Sequence, residues 1–598
     1  MSRVRSRDLV IASLGPTRAL VHVPSRSITA ELPPSLAQAL LRLTAFKSID
    51  DHAHDLCAAF GRPPGGPEAL ARALADCAGR GLLVEDTELR TAIASTSHAE
   101  ESRITAIGVV TRNRPESLQR CVDSFVANAR AHGRPVRLVV TDDSDDPAVV
   151  DANARVLAQI RTRHGIAVWH ATAHDKHAFV DALAREAAVA PATVELALFD
   201  VEGLGGSSCG ANRNALCLAT AGELVLCVDD DVVCRPIAPH DPVSHARVTS
   251  AYDPTHVRVH EDRDAIVARH AAVEWDVIGA HARLLGRPVG AITDRELAFD
   301  AISPALLARL SAGTARTRIV QPGLYGDSGA TYASYHLWRP DVRAHLGFEV
   351  DAAGYARTRT SREIVRAAPA LTVGDGGYFQ SFAFALDLRA PLSPFMPVDR
   401  GSDLVFGRVV ASALRGSLIA YLPQALLHAA WRGRALAPDD VFGAARTLTL
   451  YQLVLAAIDL WTPPVCNVDD ATALAMLGQH LVALGRSRAS DFATALRGAL
   501  WSMFGREVTD LSRKLEQTPR PTTGWQDDLA RYLEIRRAAL TDPQFSIVPD
   551  SLRGRGDEEA LVRRLIGRFG ELLVAWPALV SAASRLRERG VSLAREVA

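Results

Sequence analysis

Lysine is all but absent from this chain. It occurs only at Lys47, Lys176 and Lys514, so nearly all of the Lys+Arg total of 67 is arginine. Set against Asp+Glu 68, this leaves a formal net charge of −1 over 598 residues. Without an excess of basic charge there is no long-range pull on a phosphate backbone, so a nucleic-acid partner is not expected. Cysteine is sparse as well. The eight thiols (Cys57, Cys77, Cys121, Cys209, Cys217, Cys227, Cys234 and Cys466) include no Cys-x-x-Cys pair, and most lie inside apolar runs. They read as buried reduced thiols rather than a disulfide framework or a zinc site. Long hydrophobic runs are missing too. No stretch approaches the roughly 18–20 uncharged apolar residues of a membrane span, and no signal-length apolar run follows the charged segment Met1–Asp8. The expectation is a cytoplasmic protein with no membrane span.

What is present is globular in kind: 48% hydrophobic and 23% charged residues, at a length that predicts three to five domains. Three zones separate by pattern. Residues 1–92 open with extended runs at Leu9–Ala12, Ala19–Val23 and Ser27–Ala30, then show helical spacing at Ser35–Leu43, Ala53–Phe60 and Pro67–Arg80 before Gly81. This order suits a small α+β winged-helix-like domain. The small, polar segment Thr91–Glu100 reads as a linker. From 103 to 435 apolar strands alternate with helices, which predicts an α/β domain around a parallel, Rossmann-like sheet. From 436 to 598 the pattern is helical, and a bundle or a solenoid fits it equally. A homodimer through this all-α zone is an open expectation.

The richest run lies in the middle zone. A helix, Gly210–Thr220, leads into the buried strand Leu224–Val228, which ends in Asp229, Asp230 and Asp231. Three adjoining anions at the carboxyl end of a parallel strand repel one another, and that edge is where open α/β sheets bind ligands. An oxygen-only donor set of this kind suits Mg²⁺ or Mn²⁺; a solvated acidic turn is the plain alternative.

This run resembles the helix–strand–Asp-x-Asp segment of GT-A glycosyltransferases, the family 2 type in particular. Three more segments are similar in order: Val109–Leu118, Leu138–Asp146, and Pro394–Gly407 with its Arg400-Gly-Ser-Asp403. The resemblance covers most of residues 103–435. It implies a metal-dependent inverting transferase that uses a nucleotide-sugar, with a UDP-sugar as the expected donor. Thr111, Arg112, Asp142 and Asp143 would line the base, and Arg213 and Asn214 would lie near the nucleotide. Asp229 and Asp230 would meet the donor, with Asp229 and Asp231 holding the metal. His428 would complete the metal shell, and Arg432 and Arg434 would reach the diphosphate. Asp403 would be the general base on a peptide or small-molecule acceptor, although Ser402 stands where the family has Glu.

The Gly-rich segments Gly323–Tyr332 and Gly374–Phe382 read either as closing acceptor loops or as ordinary turns beside core aromatics. Residues 1–92 resemble PqqD-like peptide-recognition elements. By that resemblance they would hold the leader of a ribosomally made peptide as an added strand; a generic packing cap is the other reading. Two further classes stay open for the whole chain: a nucleotidyltransferase on a similar scaffold, and a non-catalytic nucleotide- or peptide-binding protein.

Overall fold

Four apolar segments set the centre of the fold. They are β1 (Ala106–Thr111), β2 (Arg137–Asp142), β3 (Val168–Ala171) and β4 (Leu224–Asp229). In the computed structural model they pair in parallel in the order β3-β2-β1-β4. The structure describes every residue except 1–2, 62–64, 97–101, 202–207, 240–242, 293–295, 339–351, 431–435, 464–467, 518–523 and 543–544. Alternate side chains of these strands enter different cores. Ile107, Val109, Leu138 and Leu226 join Leu118 and Phe125 of helix α1 (Pro115–Ala131) and Leu157 of α2 (Pro147–His164). Val110, Val139, Val225 and Cys227 join Leu183 of α3 (Ala173–Ala187) and Leu216 of α4 (Cys209–Ala219). Helices on both faces explain why these strands are apolar throughout rather than alternating.

The sheet is mixed, not parallel as expected. Next to β4 runs β6 (Ala383–Asp387), antiparallel to it, then β5 (Arg316–Asp327), antiparallel to β6, then β7 (Ser417–His428), parallel to β5. In all, 14 strands of described residues belong to this sheet. β6 is buried at every position. A strand covered on both faces has the same uniformly apolar composition whichever way it runs, so its direction is not visible in the residues. The Gly323–Asp327 part of one expected loop is the end of strand β5.

The helical C-terminal region is neither a free bundle nor a solenoid. Leu474 and Leu477 of α5 (Asp470–Arg486) and Trp576 and Leu579 of α6 (Glu558–Glu588) share one apolar core with β4, β6 and α4. The chain then returns to the sheet, where Arg595–Glu596 pairs with the outer side of β3. Two stretches, Pro438–Asp459 and Glu558–Glu588, are long and apolar enough to cross a membrane by length and composition alone. Their apolar windows are 67% and 61% buried inside the fold, which accounts for their composition.

The N-terminal unit is a three-stranded antiparallel sheet, Val10–Ser13, Ala19–Val23 and Ile28–Leu32, packed with its helices around Val21, Val23, Leu40 and Leu74. It is docked firmly on the sheet domain. The buried Arg5 guanidinium donates to the Ile302 carbonyl at 2.6 Å, and the Phe46 and Phe299 rings lie 5.6 Å apart. The expected linker begins as the end of a helix, Asp86–Ala94, whose Leu89 and Ile93 are buried in the core of the sheet domain.

Helix α4 is buried along almost its whole length, and it starts against the loop before Asp403. A Cβ on Gly210 would lie 1.9 Å from the Met396 carbonyl oxygen. Gly210→Ala should therefore cost about 1–3 kcal/mol, as overpacking does in a rigid core, read as a lower urea midpoint. An unchanged midpoint would mean that this approach is looser than described.

Candidate functional site: the carboxylate edge where strand order reverses

The carboxyl ends of β1 and β4 lie side by side, and α1 and α4 lead away from this end of the sheet on its two faces. The connections after β1 and after β3 run to opposite sides of β1, so the strand order reverses between β1 and β4. A crevice opens at such a reversal, and it is where doubly wound sheets take ligands. Thr111, at the end of β1, donates to Asp230 at 2.7 Å. Asp229 ends β4, and Asp230 and Asp231 turn the chain into the strand Val232–Ile237, which pairs with β7 through Val232 and His428.

Three cations meet the triplet, and Arg114 is shared by two of its acids. Arg213, on α4, puts one terminal nitrogen 2.7 and 2.9 Å from the two oxygens of Asp229. Arg114, at the turn into α1, reaches Asp230 at 3.2 Å and Asp231 at 2.9 Å with a single nitrogen. His428, at the end of β7, reaches Asp231 at 3.2 Å and donates from its other ring nitrogen to the Asp327 carbonyl. The carboxylates respond differently. Burial, with Asp231 beside it, pushes Asp230 up to about 7. Burial also works against ionisation of Asp231, but His428 and Arg114 outweigh it and hold that group well below the usual carboxylate range. Burial would lower His428, yet Asp231 overrides it and raises the imidazole to about 9. Burial raises Asp229, with Arg213 pulling the other way.

The expected base-side residues form a second layer under the ends of β1 and β2. Asp142 is fully buried and spent on structure: it accepts from the Ser144 amide at 2.8 Å and from Asn153 at 2.9 Å, and it meets His170 at 3.2 Å. Asp143 pairs with Lys176, one of the chain's three lysines and completely buried. Lys176 also donates to Asn212 at 2.8 Å, and Asn212 ties the carbonyls of Thr111 and Thr141 together at 3.1 and 3.0 Å. Arg112 points outward to Asp145 at 2.9 Å, away from the carboxylate edge. Asn214 is not near the edge either. Its amide is used by the backbone of Ala197 and Phe395, at 3.1, 3.0 and 2.8 Å, and it fixes the loop on which Asp403 follows.

Asp403 lies in the first turn of the helix Ser402–Ala413 and accepts from the Leu404 amide at 3.0 Å. Ser381 joins it to the triplet: the Ser381 amide donates to Asp403, and its carbonyl accepts from Arg213 at 3.2 Å. Burial raises the Asp403 carboxyl, partly offset by Arg213. The Gly374–Phe382 segment, one of the expected closing loops, is packed. Phe379 and Phe382 are buried, and a Cβ on Gly376 would sit 1.9 Å from the Ala251 carbonyl. Arg432, Arg434 and Cys466 lie outside the described residues.

His428, expected as a metal ligand, has both ring nitrogens engaged, one with Asp231 and one with the Asp327 carbonyl. Among the described residues no three His, Cys, Asp or Glu side chains form a ready-made metal cage. The donor set instead fits an ion that arrives already coordinated. Mg²⁺ typically takes one or two carboxylates and fills its octahedron with phosphate and water. The Arg114 guanidinium lies between Asp230 and Asp231. The buried Nε of Arg213 has no hydrogen-bond partner among the described residues.

No family model and no curated protein matches this chain. Two of the solved structures that match are heterocyclases. One, described as the structure of the heterocyclase TruD, is 11% identical over 29% of this chain and 26% of its own, with a TM-score of 0.13. A second, a heterocyclase in complex with substrate and cofactor, is 16% identical over 28% and 23%, with a TM-score of 0.12. The chain thus spans about a quarter of each. These two structures are heterocyclases, not glycosyltransferases, and no family model matches the chain. The expectations of a GT-A family member, of sugar transfer and of a nucleotide-sugar donor are corrected accordingly, together with the family assignment of the N-terminal unit. Similarity this slight transfers no activity in their place.

Two measurements check the charge pairing. Lys176→Met should leave Asp143 without its cation and cost about 3–5 kcal/mol, the usual cost of breaking a buried pair. Adding Asp143→Asn should recover part of that loss; no recovery would mean that Lys176 acts through packing alone. The second concerns His428. Its folded value near 9 lies above the unfolded value near 6.5, so its stabilisation is complete below about pH 6.5 and is lost as pH rises through 9. Between pH 7 and 10 the wild-type chain should lose up to about 3 kcal/mol more unfolding free energy than His428→Gln. Parallel pH profiles would contradict the pairing with Asp231.

Proposed function

We propose that the Asp229–Asp231 edge binds a ligand bearing a diphosphate or similar phosphate group together with a divalent cation, Mg²⁺ or Mn²⁺. The observation that carries this reading is the arrangement of Arg114. A half-exposed guanidinium bridges two nearly buried carboxylates at the strand-order reversal, with side-chain exposures of 42% for Arg114 against 5% and 10% for Asp230 and Asp231. Two carboxylates concentrated there favour a small divalent ion over a single organic cation, and phosphate oxygens would complete its shell.

The chain's own residues divide the work. Asp231, kept ionised by His428, would offer the carboxylate oxygen to the cation. Arg213 would stay fixed on Asp229 and balance its charge beside the ligand. Thr111 holds Asp230 in place, and Asn212 with Lys176 braces the strand ends beneath. The cation would supply charge neutralisation on the phosphate group, as Lewis-acid metals do. Asp403, tied through Ser381 to Arg213, is the candidate acid–base group next to the bound ligand, since burial moves its carboxyl toward neutral pH.

The test is Mn²⁺ binding to the whole chain, followed by electron paramagnetic resonance, with and without inorganic pyrophosphate. Pyrophosphate should tighten Mn²⁺ binding at least about tenfold, equivalent to ~1.4 kcal/mol, and Asp231→Asn should remove that gain. Mn²⁺ and pyrophosphate binding independently, or Asp231→Asn behaving as wild type, would overturn the reading.

A further inference from the structure

We infer that Arg114 is an exchangeable counter-ion: it occupies the cation position between Asp230 and Asp231 when no metal is bound and swings outward when one arrives. This rests on the reading above and adds a switch to it.

The geometry supports a movement of the side chain alone. The turn that carries Arg114 is clamped from outside. Asn113 sits in the left-handed region at φ 58°. Its amide donates to Ser144 at 2.9 Å, its side-chain oxygen accepts from the Asp145 amide at 3.2 Å, and Arg112 grips the Asp145 carboxylate. On the other side Pro115 opens α1. The backbone at 112–115 is therefore held whether or not the guanidinium is in place. By contrast, the Arg114 side chain, the most exposed of the cluster, bonds through its guanidinium to the two carboxylates. The carboxylates themselves cannot follow it. Asp230 is fixed by Thr111 at 2.7 Å, and Asp231 is fixed by His428 and by its own carbonyl, which accepts from the Ala429 amide at 2.7 Å.

A divalent ion and the guanidinium would contend for the same oxygens, Oδ1 of Asp230 and Oδ2 of Asp231. Arg114 therefore does two things. It keeps the empty edge from flying apart by like-charge repulsion, and it weakens the binding of a bare cation. A ligand that brings phosphate pays back the exchange, because the displaced guanidinium is then free to meet phosphate oxygens at the mouth of the crevice. The edge would thus discriminate against free metal and favour metal that arrives with its anionic ligand.

The experiment compares wild type, Arg114→Gln and Arg114→Lys as full-length chains, with Mn²⁺ alone as the probe. Removing the guanidinium with Gln should tighten Mn²⁺ binding about tenfold or more in the absence of pyrophosphate. It should also lower the melting temperature of the metal-free chain, and Mn²⁺ should restore it. Arg114→Lys, which keeps a cation, should stay close to wild type. Equal or weaker Mn²⁺ binding by Arg114→Gln, with wild type binding Mn²⁺ normally, would overturn the exchange alone. The absence of Mn²⁺ binding in wild type and in both variants would overturn the underlying reading along with it.

Discussion

Like-charge repulsion among Asp229, Asp230 and Asp231 is the constraint around which the centre of this molecule is arranged. Three adjoining carboxylates at the end of a buried strand are costly unless each is matched by a cation or a proton. The fold supplies the matches from three separate places: Arg213 from α4, Arg114 from the turn into α1, and His428 from the end of β7. Asp230, the least well matched, is the one raised to about 7. Arg213 comes from the helix just before β4, whereas Arg114 and His428 come from elements far from the triplet in the chain, so the sheet must assemble before the edge is fully matched. The neutral composition of the chain is repeated locally, acid against base.

The second layer makes that edge rigid. Asn212 ties the ends of β1 and β2 through their carbonyls, and Lys176 holds Asn212 and Asp143 from the first turn of α3. Asn214, two residues on along α4, fixes the loop at Phe395 and so places Asp403. One buried helix thereby sends Asn212 to the strand ends, Arg213 to the triplet and Asn214 to the Asp403 loop. The close approach of Gly210 to Met396 is the price of packing that helix against the loop it positions.

Much of this was legible in the residues. The near-uniform apolar runs at 104–111 and 224–228 predicted buried strands, and the Asp triplet marked the edge. The direction of β6 was not legible, because a strand covered on both faces looks the same either way. Arg114, Lys176 and Asn212 carry no local signal: each is an ordinary polar residue whose importance comes from a partner 30 or more residues away, as the separations of 117, 33 and 101 positions show. Roles assigned by resemblance were less secure than those assigned by charge. Asn214 and Arg112 fell on motif positions and yet turn away from the edge, while His428 lies 3.2 Å from Asp231. The family suggested by those motifs was not supported by comparison with known proteins.

The account depends most on one placement, that of a divalent ion at the Asp230–Asp231 pair. Crystals of the chain grown with Mn²⁺ and pyrophosphate, measured at the manganese absorption edge, test it directly. The account predicts an anomalous peak within coordination distance of the Asp231 carboxylate, with the Arg114 guanidinium displaced toward solvent. No peak at that edge, with Arg114 still bridging Asp230 and Asp231, would contradict it.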